Sequence, residues 1–145
     1  MLILDTNVLS ALRRPERSPA VAAWLARQDD TALYLSVVTL GEIERGIVRQ
    51  ESQNPPFARD LRDWLTRTVT LFSDRLLPFG ATEALLWGQL SARLGHAGAD
   101  LLIAATALAH DAAVVTGNTA DFQPTGCRLV DPCLLYTSDA ADERS

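Results

Sequence analysis

Met1-Leu-Ile-Leu-Asp5-Thr6-Asn7-Val-Leu-Ser10 opens the chain and sets a pattern that the rest repeats. Leu2, Ile3 and Leu4 form a short apolar run, stopped by Asp5, Thr6 and Asn7, residues that favour turns and helix caps. Val8, Leu9 and Leu12 then fall at helical spacing, so the stretch reads as strand, loop, helix, with a carboxylate where the strand ends. Beyond Pro15 and Pro19, Val21, Trp24 and Leu25 predict a second short helix ending near Asp29-Asp30, and residues 33–38 are rich in β-formers. Thr39 is the expected cap of a helix carrying Leu40, Ile43, Ile47 and Val48 on one face. Pro55-Pro56 separates it from a helix with Leu61, Trp64, Leu65 and Val69, which predicts a helical hairpin. A strand at 76–79, a helix at 82–94, a Gly-flanked loop at 95–98, a helix at 101–110 opened by Asp100, a strand from Val114 and a last strand at 128–130 complete the reading. Nearly continuous apolar strands alternating with helices call for an α/β fold whose mostly parallel sheet is covered on both faces. Ligands of such sheets bind outside the carboxyl ends of the strands, so the acids that follow strands are the ones to weigh.

The 145 residues are 48% apolar and 21% charged, enough for one domain with a core and wrong for a fibrous or disordered chain. No apolar run approaches the about 20 residues of a membrane span, and Asp5 stands where a secretory signal would be basic, so a cytoplasmic protein is expected. Cys127 and Cys133 have no CxxC or Cys/His spacing, which excludes a disulfide framework or zinc site and leaves oxygen-ligated metals open. Every basic residue is an arginine, and the net charge of −5 argues against coating nucleic acid by charge alone. Residues 133–145, CLLYTSDAADERS, break the pattern after Asp131-Pro132 and resemble a translated sequencing adapter. They are expected not to be native, which leaves a domain of residues 1–132 with a charge of −3.

Asp5, Glu42, Asp100, Asn118 and Asp121 are the candidates for one crevice. Carboxylates gathered there push one another's pKa upward unless a cation holds them, and Mg²⁺ or Mn²⁺ suits an oxygen-only site. Singly, each has a plainer role: Asp5 and Asp100 as helix caps, Glu42 as a surface partner of Arg45 or Arg49, Asn118 and Asp121 as turn residues. Spacing alone leaves these alternatives open. The two histidines, His96 and His110, support no serine triad, because no GxSxG elbow is present; GxGxxG and GxxxxGK[ST] are absent too. Trp24, Trp64 and Trp87 lie in helical apolar patterns and are expected in the core or at an interface.

LILDTNVLSAL, LSVVTLGEIERGI, AGADLLIAATALAHDAAVVTGNTADF and the strand before Asp131-Pro132 together resemble PIN-domain ribonucleases over residues 1–132. Within that superfamily the chain is similar to the VapC toxins of type II toxin–antitoxin modules, in the FitB-like branch. The resemblance implies a flavodoxin-like three-layer α/β/α sandwich and an endoribonuclease dependent on Mg²⁺ or Mn²⁺. It places Asp5, Glu42 and Asp100 at the acidic triad, with Asp5 and Asp100 holding the metal and Glu44 a bystander. The fourth acidic position falls in TGNTADF, where Asn118 occupies the expected place and Asp121 lies three residues later. The implied partners are an RNA substrate, a second copy of the chain in a homodimer, and a cognate DNA-binding antitoxin. That antitoxin's C-terminal segment would wrap the hairpin and place an arginine in the acid cluster, aided by an apolar groove between the helix near Leu12 and those at 40–65. Two other readings differ in class. One is a catalytically weak PIN-fold module that mainly binds the antitoxin; the other is a phosphohydrolase with an aspartate nucleophile, which would want a DxD motif where Asp5-Thr6-Asn7 stands.

Overall fold

The protein is described here by a computed structural model, in which residues 1–133 are described; of the tail expected to be foreign, 133–145, all but Cys133 lies outside the described residues. In chain order the elements are β1 (Leu2–Leu4), α1 (Thr6–Arg13), α2 (Pro19–Ala26), β2 (Leu33–Ser36), α3 (Val37–Gln53), α4 (Pro55–Leu71), β3 (Leu76–Leu77), α5 (Ala81–Leu94), α6 (Ala99–His110), β4 (Ala113–Val115), α7 (Thr119–Phe122) and β5 (Arg128–Val130). The five strands are parallel, in the order β3-β2-β1-β4-β5. The chain starts at the centre, builds outward through β2 and β3, then returns to the other side of β1, so the topological switch point lies between β1 and β4.

Successive strand residues face opposite sides, which makes three layers. Ile3, Tyr34 and Val114 face a core completed by Leu90, Ile103, Ala104 and Phe122 from α5, α6 and α7. Leu4, Leu33, Leu35 and Val115 face Val8, Leu9, Trp24 and Leu25 of α1 and α2, joined by Leu40, Ile43 and Trp64 of the hairpin. Ile3, Leu4 and Val114 are fully buried, so truncating Ile3 or Leu4 to alanine costs about 2–5 kcal/mol. Trp24 is buried, and Trp64 and Trp87 pack partly buried against the two cores.

Beyond the strand expected at 76–79, which ends at Leu77, two local readings shift. The strand expected at 33–38 stops at Ser36, because the Ser36 hydroxyl accepts the Val38 N–H and starts α3 there. The cap is therefore Ser36, three residues ahead of Thr39, which is fully buried with no partner for its Oγ1 among the described residues. The second is α7, a single turn that the sequence reading leaves as loop. α3 and α4 pack as the expected hairpin, locked by a forked pair from Arg62 to Glu44 at 2.9 and 3.1 Å and a third contact to Glu51. Among the described residues no helix is long and apolar enough to cross a membrane.

Candidate active site

Register brings the first two site residues together. Leu4 pairs with Val115, so the next residues, Asp5 and Thr116, stand side by side at the carboxyl rim of the sheet. The Asp5 N–H donates to the Val115 carbonyl and extends the ladder one step. Asp5 is 5% exposed, and each carboxylate oxygen has its own donor: Thr6 N–H on Oδ1 and Thr116 Oγ1 on Oδ2, both at 2.8 Å. Capping and site-building are thus one role, since the oxygen that caps α1 belongs to the carboxylate fixed at the switch point.

Glu42 reaches the same place from α3. Its Oε1 accepts the Thr6 hydroxyl at 2.9 Å, so Thr6 ties both acids together, one through its N–H and one through its side chain. Among the described residues Glu42 forms no ion pair with Arg45 or Arg49, although the Arg45 charge acts on it, and Glu44, two residues on, is held away in the fork of Arg62. Burial pushes the Glu42 carboxyl above its ordinary range; the Thr6 bond opposes this, and the charges of Asp5 and Asp100 push it further. Asp100, in the first turn of α6, is likewise raised by burial first, then by Asp5 and Asp121, with His96 working the other way.

The charge of Asp5 thus reaches both Glu42 and Asp100. Asp121, carried by α7, is the residue in TGNTADF whose charge reaches Asp100. Asn118 is exposed and precedes that turn, and its backbone N–H donates to Thr116 Oγ1 at 2.9 Å. Thr116, which sequence reasoning passed over as a strand end, is fully buried and acts as the hub between Asp5 and the Asn118 turn. Its signal was a hydroxyl directly after an apolar strand, meaningful only once that strand is known to neighbour β1.

The other sequence candidates lie elsewhere or at the margin. His110 is not merely at a helix end: its Nε2 lies 3.2 Å from Glu83 Oε1, pinning α6 to α5. His96 is exposed in the loop before α6, with Nδ1 accepting the Gly98 N–H at 3.3 Å.

Chemically, the rim offers oxygen donors and surplus negative charge, the set preferred by a hard divalent cation. Among the described residues, no three His, Cys, Asp or Glu side chains are gathered closely enough to hold an ion as they stand. The arrangement suits a cation held by few direct carboxylates and several waters, the usual habit of Mg²⁺.

Comparison with known proteins agrees with this fold. The PIN domain family model matches residues 2–124. VapC ribonuclease Y4jK of Sinorhizobium fredii is 32% identical, the alignment covering 91% of this chain and 97% of the relative. Toxin FitB of Neisseria gonorrhoeae is 33% identical over 91% of this chain and 98% of its own length. A solved structure of FitAB bound to an IR36 DNA fragment superposes with a TM-score of 0.79 at 31% identity, covering 92% of this chain and 96% of that one. By domain match, fold and relatives, the chain belongs to the PIN-domain family.

Proposed function

We propose that this chain is the toxin of a type II toxin–antitoxin module and acts as an endoribonuclease dependent on Mg²⁺ or Mn²⁺. The observation that carries the reading is the pair of bonds that Thr6 and Thr116 make to Asp5 beside Glu42, Asp100 and Asp121, at the switch point where such sheets bind their ligands. The ribonuclease and toxin names of relatives aligned over almost their whole length support it.

Asp5 and Asp100 are the residues assigned to hold the metal. When bound, a divalent ion supplies activation of water and stabilisation of charge on a phosphodiester under attack. Glu42 orients the nucleophile and Thr6 holds its carboxylate in place. Asp121 is assigned the fourth acidic position, supported by its influence on Asp100, while Asn118 lines the approach. Asp5 is the pivot, since both its oxygens are aimed by bonds that leave it little freedom.

The partners proposed are an RNA substrate, a second copy of the chain, and a DNA-binding antitoxin in the same cytoplasm. An apolar hollow of about 270 Å³ between Leu9 and Leu12 of α1 and Trp64, Thr68 and Leu71 of α4 supports docking of an amphipathic antitoxin helix. Leu12 and Leu71 are exposed there at 42% and 65%. The FitAB complex on DNA is the precedent for such an assembly.

The test is cleavage of total cellular RNA by the purified chain in Mg²⁺, Mn²⁺ and EDTA, beside Asp5→Asn and Asp100→Asn. Metal-dependent cuts, lost in both variants with the circular dichroism spectrum unchanged, are the expected result. Undiminished cutting by Asp5→Asn sinks the metal mechanism, and a folded chain that cuts nothing favours the antitoxin-binding module.

A further inference from the structure

A polar hollow of about 140 Å³, lined by arginines, starts at Asn7 in the first turn of α1. Asn7 and Ser10 line it from one face of α1, Arg14, the residue that ends the helix, lines it beyond them, and Arg13, Arg17 and Ser18 close it. Helical side chains lean toward the helix N-terminus, and the N-terminus of α1 is Asp5 itself. The strip therefore runs from the acid cluster outward, with Asn7 only two residues beyond Asp5.

Its arginines are poorly neutralised. Arg14 has a 3.5 Å contact to the exposed Glu16, a type of pair worth little in water. Arg13 stacks on Phe57 at 5.4 Å, and Arg17 has no ion pair among the described residues. Burial lowers the Arg13 pKa, and the repulsion of Arg14 and Arg17 adds to this more strongly than Glu16 and Asp60 oppose it. By contrast, Arg62 on the hairpin is occupied by two glutamates.

We propose that this hollow seats a backbone phosphate of RNA, flanking the phosphodiester at the acid rim. The inference rests on the ribonuclease reading above. It answers a physical difficulty of that reading: a chain with a net charge of −5 and an acidic crevice repels a polyanion unless local cations hold the strand beside it. Guanidinium forks, serine hydroxyls and an asparagine amide are the groups that grip phosphate oxygens, and they do so without reading sequence.

A short fluorescein-labelled single-stranded RNA of mixed sequence is therefore a sufficient probe. Its binding to Asp5→Asn in Mg²⁺ is followed by anisotropy over a salt series, with and without Arg14→Gln and Arg17→Gln. Each substitution is expected to weaken binding and to reduce the slope of log K against log salt by about 0.7, one phosphate contact on a single strand. Arg62→Gln, outside the hollow, leaves the slope unchanged. In the chain that keeps Asp5, the same arginine variants raise KM for RNA cleavage with kcat unaltered. An unchanged slope in the Arg13, Arg14 and Arg17 triple glutamine variant, with cleavage intact in its parent, overturns the proposal and leaves the ribonuclease reading standing. A parent that neither binds nor cuts RNA overturns both. If the triple variant loses an acidic peptide but keeps RNA, the hollow belongs to a protein partner and the proposal is overturned.

Discussion

Thr116 Oγ1 donates to Asp5 Oδ2 across 2.8 Å, joining two fully or nearly buried residues that lie 111 positions apart in the chain. The bond spans β4 and β1, the strands on either side of the switch point, and the same hydroxyl accepts the Asn118 N–H. Thr116→Val keeps the shape, leaves one Asp5 oxygen and one backbone N–H without partners, and should cost about 1.5–3 kcal/mol. RNA cleavage should fall about 10- to 100-fold, as when the residue that aims a metal ligand is lost. Thermal unfolding and a cleavage assay on the same preparation check both; unaltered activity would remove Thr116 from the site.

Glu42 and Asp100 are both raised by burial and by neighbouring carboxylates. For an acid whose folded pKa lies above its unfolded value, the folded state binds the extra proton. The penalty is thus absent below the ordinary carboxylate range, grows as pH rises through the raised folded value, and is complete at neutrality. Asp100→Asn and Glu42→Gln should therefore raise the Tm of the metal-free chain at pH 7, with the gain vanishing below the ordinary carboxylate range, while abolishing cleavage. Added Mg²⁺ should raise the Tm of the parent and not of Asp100→Asn. A lower Tm at pH 7 in both variants would contradict this assignment.

Glu83 titrates in the other direction. Its carboxyl is held below the ordinary range by its own backbone N–H, then by that of Gly80 and by His110, against the opposing effect of burial. That stability is present above the unfolded value and is lost as pH falls through the depressed folded one. Glu83→Gln should cost about 0.5–2 kcal/mol at pH 7, in the range of a lost helix cap. Urea denaturation should show the difference from the parent closing in acid.

Thr39 is fully buried, yet its hydroxyl has no partner among the described residues. Replacing an unsatisfied buried hydroxyl by a methyl of similar shape removes a desolvation cost of about 1–3 kcal/mol. Thr39→Val should raise the Tm by a few degrees without altering RNA cleavage. A loss of stability would overturn the reading of that hydroxyl as unsatisfied.

The strand-loop-helix order, the parallel sheet and the acids at strand ends were legible in the sequence because each rests on short-range patterns: apolar runs, helical spacing, and Asp, Thr or Asn at a boundary. β5 falls at 128–130 as read, and the hairpin forms on either side of Pro55. The end of β2 was not legible, since Val37 and Val38 favour strand by local preference while the Ser36 hydroxyl captures the Val38 N–H and starts a helix. Residue spacing alone did not separate Glu42 from Glu44; the family resemblance chose Glu42, and the structure sets Glu42 against Thr6 and Glu44 against Arg62 of α4. Thr116 became meaningful only through the register of β4 with β1, and Asp121 through a single helical turn that local propensity does not announce. Sequence alone determined the order of the strands and the longer helices and which chemistry is available. Which acids meet, which hydroxyl aims them and where uncompensated arginines collect were decided by tertiary structure, because those contacts join residues that only sheet register and helix docking bring within reach.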